Sequence, residues 1–162
     1  MTVLKIRLNP DPILRQKAKR VTSIDDSIQR LIEDMIETMH AASGVGLAAN
    51  QVGVPLRIVV IGIPEQDDMV LINPEIIEKR GERLVMEGCL SIPGYQAEIK
   101  RSEFVRIKAK DREGKLIRKK ANDLLAQAFE HEIDHLNGIL YIDYLDNANQ
   151  LTKVETEDID RK

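Results

Sequence analysis

Two histidines four residues apart, His131 and His135, with Glu132 directly after the first, constrain this chain more than any other stretch of it. In a helix, residues i and i+4 share a face with Cβ atoms about 5–6 Å apart, so both rings can hold one ion at about 2.0–2.1 Å. Glu132 then lies beside that ion without ligating it, in the position of a general base acting on water. The neighbours support a helix. Asn122 or Asp123 can cap its start, Leu124, Leu125, Ala128 and Phe129 supply apolar positions, and Asn137-Gly138 offers a left-handed stop. Leu124, Ala128, His131 and His135 follow one stripe, so the histidines face inward. A helical HExxH also arises by chance, but burying two of only three histidines beside an acid is costly unless something satisfies them.

At 162 residues the chain is the size of one ordinary domain, able to bury a core without disulfides. It has no run of 18 apolar residues and no basic leader followed by an apolar core, so neither a membrane span nor a secretory signal is expected, and a cytoplasmic location is the default. The net charge of −3 argues against nonspecific nucleic-acid binding, although Lys108-Ala109-Lys110 and Arg118-Lys119-Lys120 form local basic clusters. Cys89 is the only cysteine, which excludes an intramolecular disulfide and suits a reducing compartment.

Along the chain, Val3, Ile6 and Leu8 open a short apolar segment that Asn9-Pro10-Asp11-Pro12 turns, and Ile13-Leu14 begin a brief second element. Ile28, Leu31, Ile32, Met35, Ile36 and Met39 then mark an amphipathic helix, capped by Ser23, Asp25 or Asp26 and ended by Ser43-Gly44. The small residues that follow, Gly44-Val45-Gly46-Leu47-Ala48-Ala49-Asn50-Gln51, are no phosphate loop, because no strand precedes them and no GK[ST] follows. They let a peptide-like substrate approach the backbone, and the Gln51 amide can donate to a polarised carbonyl. Arg57 to Ile63 reads as a buried strand and Met69 to Asn73 as another, with residues 65–68 connecting them as a hairpin and residues 74–83 a strand or turn leading onward. Val105, Ile107 and Ala109 alternate with Arg106, Lys108 and Lys110 in a strand with one wet face, which Asp111-Arg112-Glu113-Gly114 turns back toward Leu116-Ile117.

A catalytic metal needs a third protein ligand and an open position. The extended pattern HExxHxxGxxH fails, since Tyr141 stands where its last histidine would be. A downstream glutamate, as in thermolysin-like peptidases, has a nominal candidate in Glu155, which lies in a polar tail with no apolar stripe to dock it. Cys89 is the better candidate: as a thiolate it completes a Cys/His/His set, with Gly88 beside it to permit a tight backbone. The rival readings are a metallopeptidase cutting internal amides and a structural zinc site with a fourth protein ligand, for which only His40 and acids remain.

GVGLAANQ at 44–51, EGCLS at 87–91 and HEIDH at 131–135 together resemble the three signature motifs of the peptide deformylases, in the same order. Asp11-Pro12 and the strand and turn from Arg101 to Gly114 are similar to the family as well, so the likeness spans most of residues 3–145. The resemblance implies a single α+β domain over residues 1–148, with antiparallel or mixed β-sheets around a central metal-binding helix carrying HEIDH and an N-terminal amphipathic helix. Residues 149–162 are polar and expected to fray. It implies removal of the formyl group from N-formylmethionine at the start of newly made polypeptides, with a divalent ion on Cys89, His131 and His135. Fe(II) is the implied ion in the cell, and Zn(II), Ni(II) or Co(II) are alternatives after purification. Glu132 becomes the proton carrier, and the Gln51 amide and Leu90 backbone N–H the oxyanion donors. Gly44, Val45 and Gly46 receive the peptide backbone, while Val45, Leu124 and Ala128 line the methionine pocket. Glu87 counts among the substrate-binding residues, and it pairs with Arg101 to brace the cysteine loop or forms only an exposed ion pair. The implied partners are nascent chains, with a transient ribosome contact and neither nucleic acid as substrate nor membrane.

Overall fold

The computed structural model describes residues 2–154. Five antiparallel strands form the main sheet in the order β1-β2-β3-β6-β7: β1 (Gly46–Ala48), β2 (Ile58–Ile61), β3 (Met69–Arg80), β6 (Phe104–Lys110) and β7 (Leu116–Asn122). A second sheet holds β4 (Arg83–Cys89), β5 (Ile92–Arg101) and β8 (Thr152–Lys153). Two helices flank the main sheet, α1 (Asp26–Ala41) and α2 (Asp123–Leu136). The expected α+β architecture is therefore present, with the HEIDH helix in the middle.

β2 shows how the layers are made. Side chains alternate across a strand, so Ile58 and Val60 point to α1 while Val59 and Ile61 point to α2. On the α1 side they meet the stripe read from the sequence, of which Ile28, Ile32, Met35 and Met39 are buried while Leu31 and Ile36 are partly buried. On the α2 side, Leu71, Val105 and Ile107 pack with Ala128, Phe129 and Ile133. A third cluster beneath the second sheet joins Leu14, Val85, Ile92 and Ile99 to Leu140 and Tyr141.

The Asp25 side chain caps α1 by accepting from the Ile28 N–H at 3.1 Å. At its other end Ser43, not Gly44, takes the left-handed conformation, with φ +54°. Asn122 stands at the α2 cap position but makes no side-chain cap bond, and α2 ends at Leu136 with Asn137 as its C-cap, followed by Gly138, whose φ is +76° and whose added Cβ would come within 2.6 Å of the Arg15 carbonyl oxygen.

Three stretches differ from expectation. β3 continues through Asn73-Pro74 as one strand with a shift in its β6 register between Ile72 and Glu75, and the left-handed Asn73 there turns its side-chain amide to the Val21 backbone, accepting at 2.9 Å and donating at 2.9 Å. Residues 83–101 form a long β4–β5 hairpin that the sequence pattern did not announce. Part of the tail expected to fray is ordered: Thr152 and Lys153 pair with Gln96 and Tyr95 of β5. No helix among the described residues is long and apolar enough to cross a membrane.

Candidate metal centre and active site

A cleft of about 560 Å³ opens between α2, the β4–β5 hairpin and the chain entering β1. Down the α2 stripe, Leu124 stands 40% exposed at the mouth, Ala128 is buried behind it, and His131 and His135 follow at the floor, the latter 1% exposed. Cys89, the last residue of β4, comes from the opposite wall beside a break in the β4–β5 register. Its Sγ lies 3.2 Å from His135 Nε2, and that nitrogen lies 3.2 Å from His131 Nε2. All three donor atoms fall within 4.8 Å of one another.

The two 3.2 Å separations lie close to those that an ion would set. Tetrahedral coordination with bonds of about 2.0–2.1 Å to nitrogen and about 2.3 Å to sulfur spaces the donors by about 3.3–3.6 Å. Protons tell the same story. Burial opposes charge on His131, but Glu132, the Cys89 sulfur and Glu87 outweigh it and hold the ring well above its ordinary pKa. Burial and the neighbouring His131 charge push His135 well below. An ion on both rings replaces that lopsided proton sharing with two neutral imidazoles.

The ring of His131 is aimed from behind. Its Nδ1 is hydrogen-bonded to Glu87, which leaves Nε2 as the ligating nitrogen. Arg101 grips the same carboxylate, its Nε donating at 2.9 Å, and donates onward to Asp134 at 2.8 Å. Tyr144 also donates to Asp134, at 2.7 Å. Glu87 and Arg101 are 4% and 3% exposed, so the pair is a buried brace and not a surface ion pair. Burial alone would raise the Glu87 carboxyl, yet the hydrogen bonds from Arg101 and His131 bring it down to about 2.

Glu132 is 3% exposed, and its Oε1 has no hydrogen-bond partner among the described residues. Burial pushes its carboxyl up to about 7 against the pull of His131. The carboxylate fits only because residue 46 is glycine: a Cβ there would stand 2.9 Å from Glu132 Cδ and closer still to an oxygen. Gly46 has a second property. The Gly62 N–H donates to the Val45 carbonyl at 2.9 Å, and strand alternation then turns the N–H and C=O of Gly46 away from β2 onto the open edge of the sheet, facing the cleft.

Gln51 lies on the floor, 1% exposed. Its Oε1 accepts from the Ala48 N–H at 3.0 Å, and its Nε2 donates to Ser91 Oγ at 3.0 Å and faces Cys89 Sγ at 3.7 Å. Gly44, Val45, Leu90, Leu124 and Ala128 line the cleft as the sequence suggested, together with Met86, Ile92 and Tyr95, which it did not. Sequence reasoning also missed Ser91 and Asn50, whose side chain donates to the His135 carbonyl. Their only signal was adjacency to Leu90 and Gln51. His40 is no fourth ligand, since it pairs with Asp68 at 2.8 Å, and Glu155 lies outside the described residues.

Residues 3–151 match the family described as polypeptide deformylase. The chain belongs to that family. A peptide deformylase of Dehalococcoides mccartyi is 55% identical over 159 residues, covering 98% of this chain and 95% of the relative. The crystal structure of a peptide deformylase from Legionella pneumophila superposes with a TM-score of 0.87 at 47% identity, over 89% of this chain and 86% of the other. That of the Thermotoga maritima peptide deformylase gives 0.87 at 40% identity, over 91% of this chain and all of the other. Peptide deformylases are metal-dependent hydrolases that remove the N-formyl group from an N-terminal methionine, and this chain has a donor set suited to such a metal.

Proposed function

We propose that the cleft takes the formylated start of newly made polypeptides and releases formate, with Cys89, His131 and His135 holding one divalent ion. The observation that carries this reading is the convergence of one sulfur and two Nε2 atoms beside a buried carboxylate with a free oxygen. When bound, the ion supplies Lewis acidity to the formyl carbonyl and lowers the pKa of water from about 15.7 toward about 7. Glu132 Oε1 takes the proton of the attacking water and later gives it to the departing amine, so the products are formate and a free N-terminus. The side-chain N–H of Gln51 and the backbone N–H of Leu90 receive the negative charge that grows on the formyl oxygen. Glu87 and Arg101 keep His131 in register.

The peptide backbone extends along Gly44, Val45 and Gly46 as an added strand, and the outward N–H and C=O of Gly46 are suited to pair with it. The methionine side chain enters between Val45, Leu124 and Ala128, where apolar atoms dominate. Fe(II) is our choice of ion in the cell, with Zn(II), Ni(II) and Co(II) accepted by the same soft and imidazole ligands. The protein acts in the cytoplasm on nascent chains, touching the ribosome transiently, through a catalytic domain of residues 1–148.

Anaerobic metal analysis together with formate release from a formyl-Met peptide tests this. The wild type releases formate and a chelator abolishes it. Glu132→Ala loses about 10²–10⁴-fold in kcat at an unchanged metal content. Full turnover by that variant, or cleavage at an internal amide without formate, overturns the reading.

A further inference from the structure

We infer that Ser91 is a positioning residue for deformylation: its hydroxyl holds the Gln51 amide so that one N–H of that amide stays turned to the substrate oxygen. The inference deepens the role proposed above for Gln51 and rests on it. Gln51 Oε1 accepts from a backbone N–H, which can only donate, so the orientation of the amide is set without ambiguity and Nε2 must be the group that reaches Ser91 Oγ at 3.0 Å. One of the two Nε2 hydrogens is thereby committed to Ser91. The other faces Cys89 Sγ at 3.7 Å, a long and weak contact that a carbonyl oxygen entering beside the three metal donors displaces at little cost.

The main chain fixes the two partners relative to each other. One extended segment near the N-terminus reaches both: the Arg7 N–H donates to the Gln51 carbonyl at 2.7 Å, and the Asn9 N–H to the Ser91 carbonyl at 2.8 Å. Ser91 and Gln51 are 0% and 1% exposed, so no solvent replaces a lost hydroxyl. Without it, the amide is left with a buried, unpaired N–H and is held only through Oε1 by the Ala48 N–H, which leaves the Nε2 end less firmly aimed at the oxyanion. Ser91 touches neither substrate nor reacting atoms. It acts through Gln51, while its own backbone N–H donates to Cys89 Sγ at 3.4 Å and survives any side-chain change.

The test is a double-mutant cycle on formyl-Met-peptide hydrolysis with wild type, Ser91→Ala, Gln51→Ala and the double variant, alongside metal content and Tm. The Gln51 side-chain amide resonances of the metal-free protein provide a readout independent of turnover. Ser91→Ala is expected to lower kcat about 5–20-fold with KM changed less than about twofold, metal content unchanged, and the Gln51 amide pair shifted or broadened. In the Gln51→Ala background the same change is expected to cost less than about twofold. Ser91→Thr, which keeps the oxygen, retains more activity than Ser91→Ala and guards against a simple packing effect. An equal loss in both backgrounds, or a loss that follows metal content, overturns the positioning role while leaving that of Gln51 intact. Wild-type activity in Gln51→Ala removes both.

Discussion

A glycine decides whether the Glu132 carboxylate fits. Gly46 has no special backbone angle; it is required because the Glu132 carboxylate occupies the space where a Cβ would go. Gly46→Ala is therefore expected to displace that carboxylate, and a displacement on the order of 1 Å at a reacting group costs up to about 10²-fold in rate. The loss should appear in kcat, with Tm within a few degrees of wild type, and steady-state kinetics beside a thermal scan checks it. A variant with unchanged kcat would show that Glu132 has room to retreat without harm. The cluster of Cys89, His131 and His135 was legible from residue types and spacing: a thiol and two imidazoles four residues apart, with an acid between them, have few other reasons to converge. Asn50 and Asp134 were not legible, because their partners lie 85 and 33 residues away in the chain and nothing in their own type announces the contact.

The β4–β5 hairpin escaped pattern reading for a physical reason. Its inward positions include Glu87 and Arg101, two charges that read as solvent-facing yet neutralise each other in the interior. α1 and β2, by contrast, present uninterrupted apolar faces and were read directly. β3 looked broken at Pro74 because the polar pairing of Asn73 with Val21 is invisible to periodicity. The buried pair makes the hairpin and α2 one mechanical unit, since Arg101 holds β4 through Glu87 and α2 through Asp134. Removing one partner of such a pair strands the other, so Arg101→Ala is expected to cost about 3–5 kcal/mol in denaturant unfolding and to loosen metal retention through His131. A cost below about 1 kcal/mol would mean that the Glu87 carboxylate finds other donors.

At the scale of the molecule, the short helical turn Pro12–Arg15 is tied to the segment after α2 by the Arg15–Asp143 pair, 2.6 Å at its shortest. Burial would raise the Asp143 carboxyl, but the hydrogen bonds from Arg15 and the Leu140 N–H hold it below the usual carboxylate range. A carboxyl lowered on folding adds stability above its unfolded pKa, about 3.9, and loses it as pH falls through the folded value. Both side chains are more than a third exposed, so screening limits the pair to about 1 kcal/mol or less. The stability gap between wild type and Asp143→Asn should thus be present at neutral pH and shrink as pH falls below the unfolded carboxyl value of about 3.9 and through the lower folded one, as chemical unfolding at several pH values would show. A gap constant with pH would assign the contribution to shape, not charge.

The three donor atoms come from separately packed layers, the sulfur from the small sheet and both nitrogens from the helix against the large one. Neither layer owns a site alone. On the proposed ligand set, ion retention is therefore expected to report whether the layers have docked: a chain that slipped at this seam by the width of one atom would keep its helices and strands, yet hold the ion less tightly.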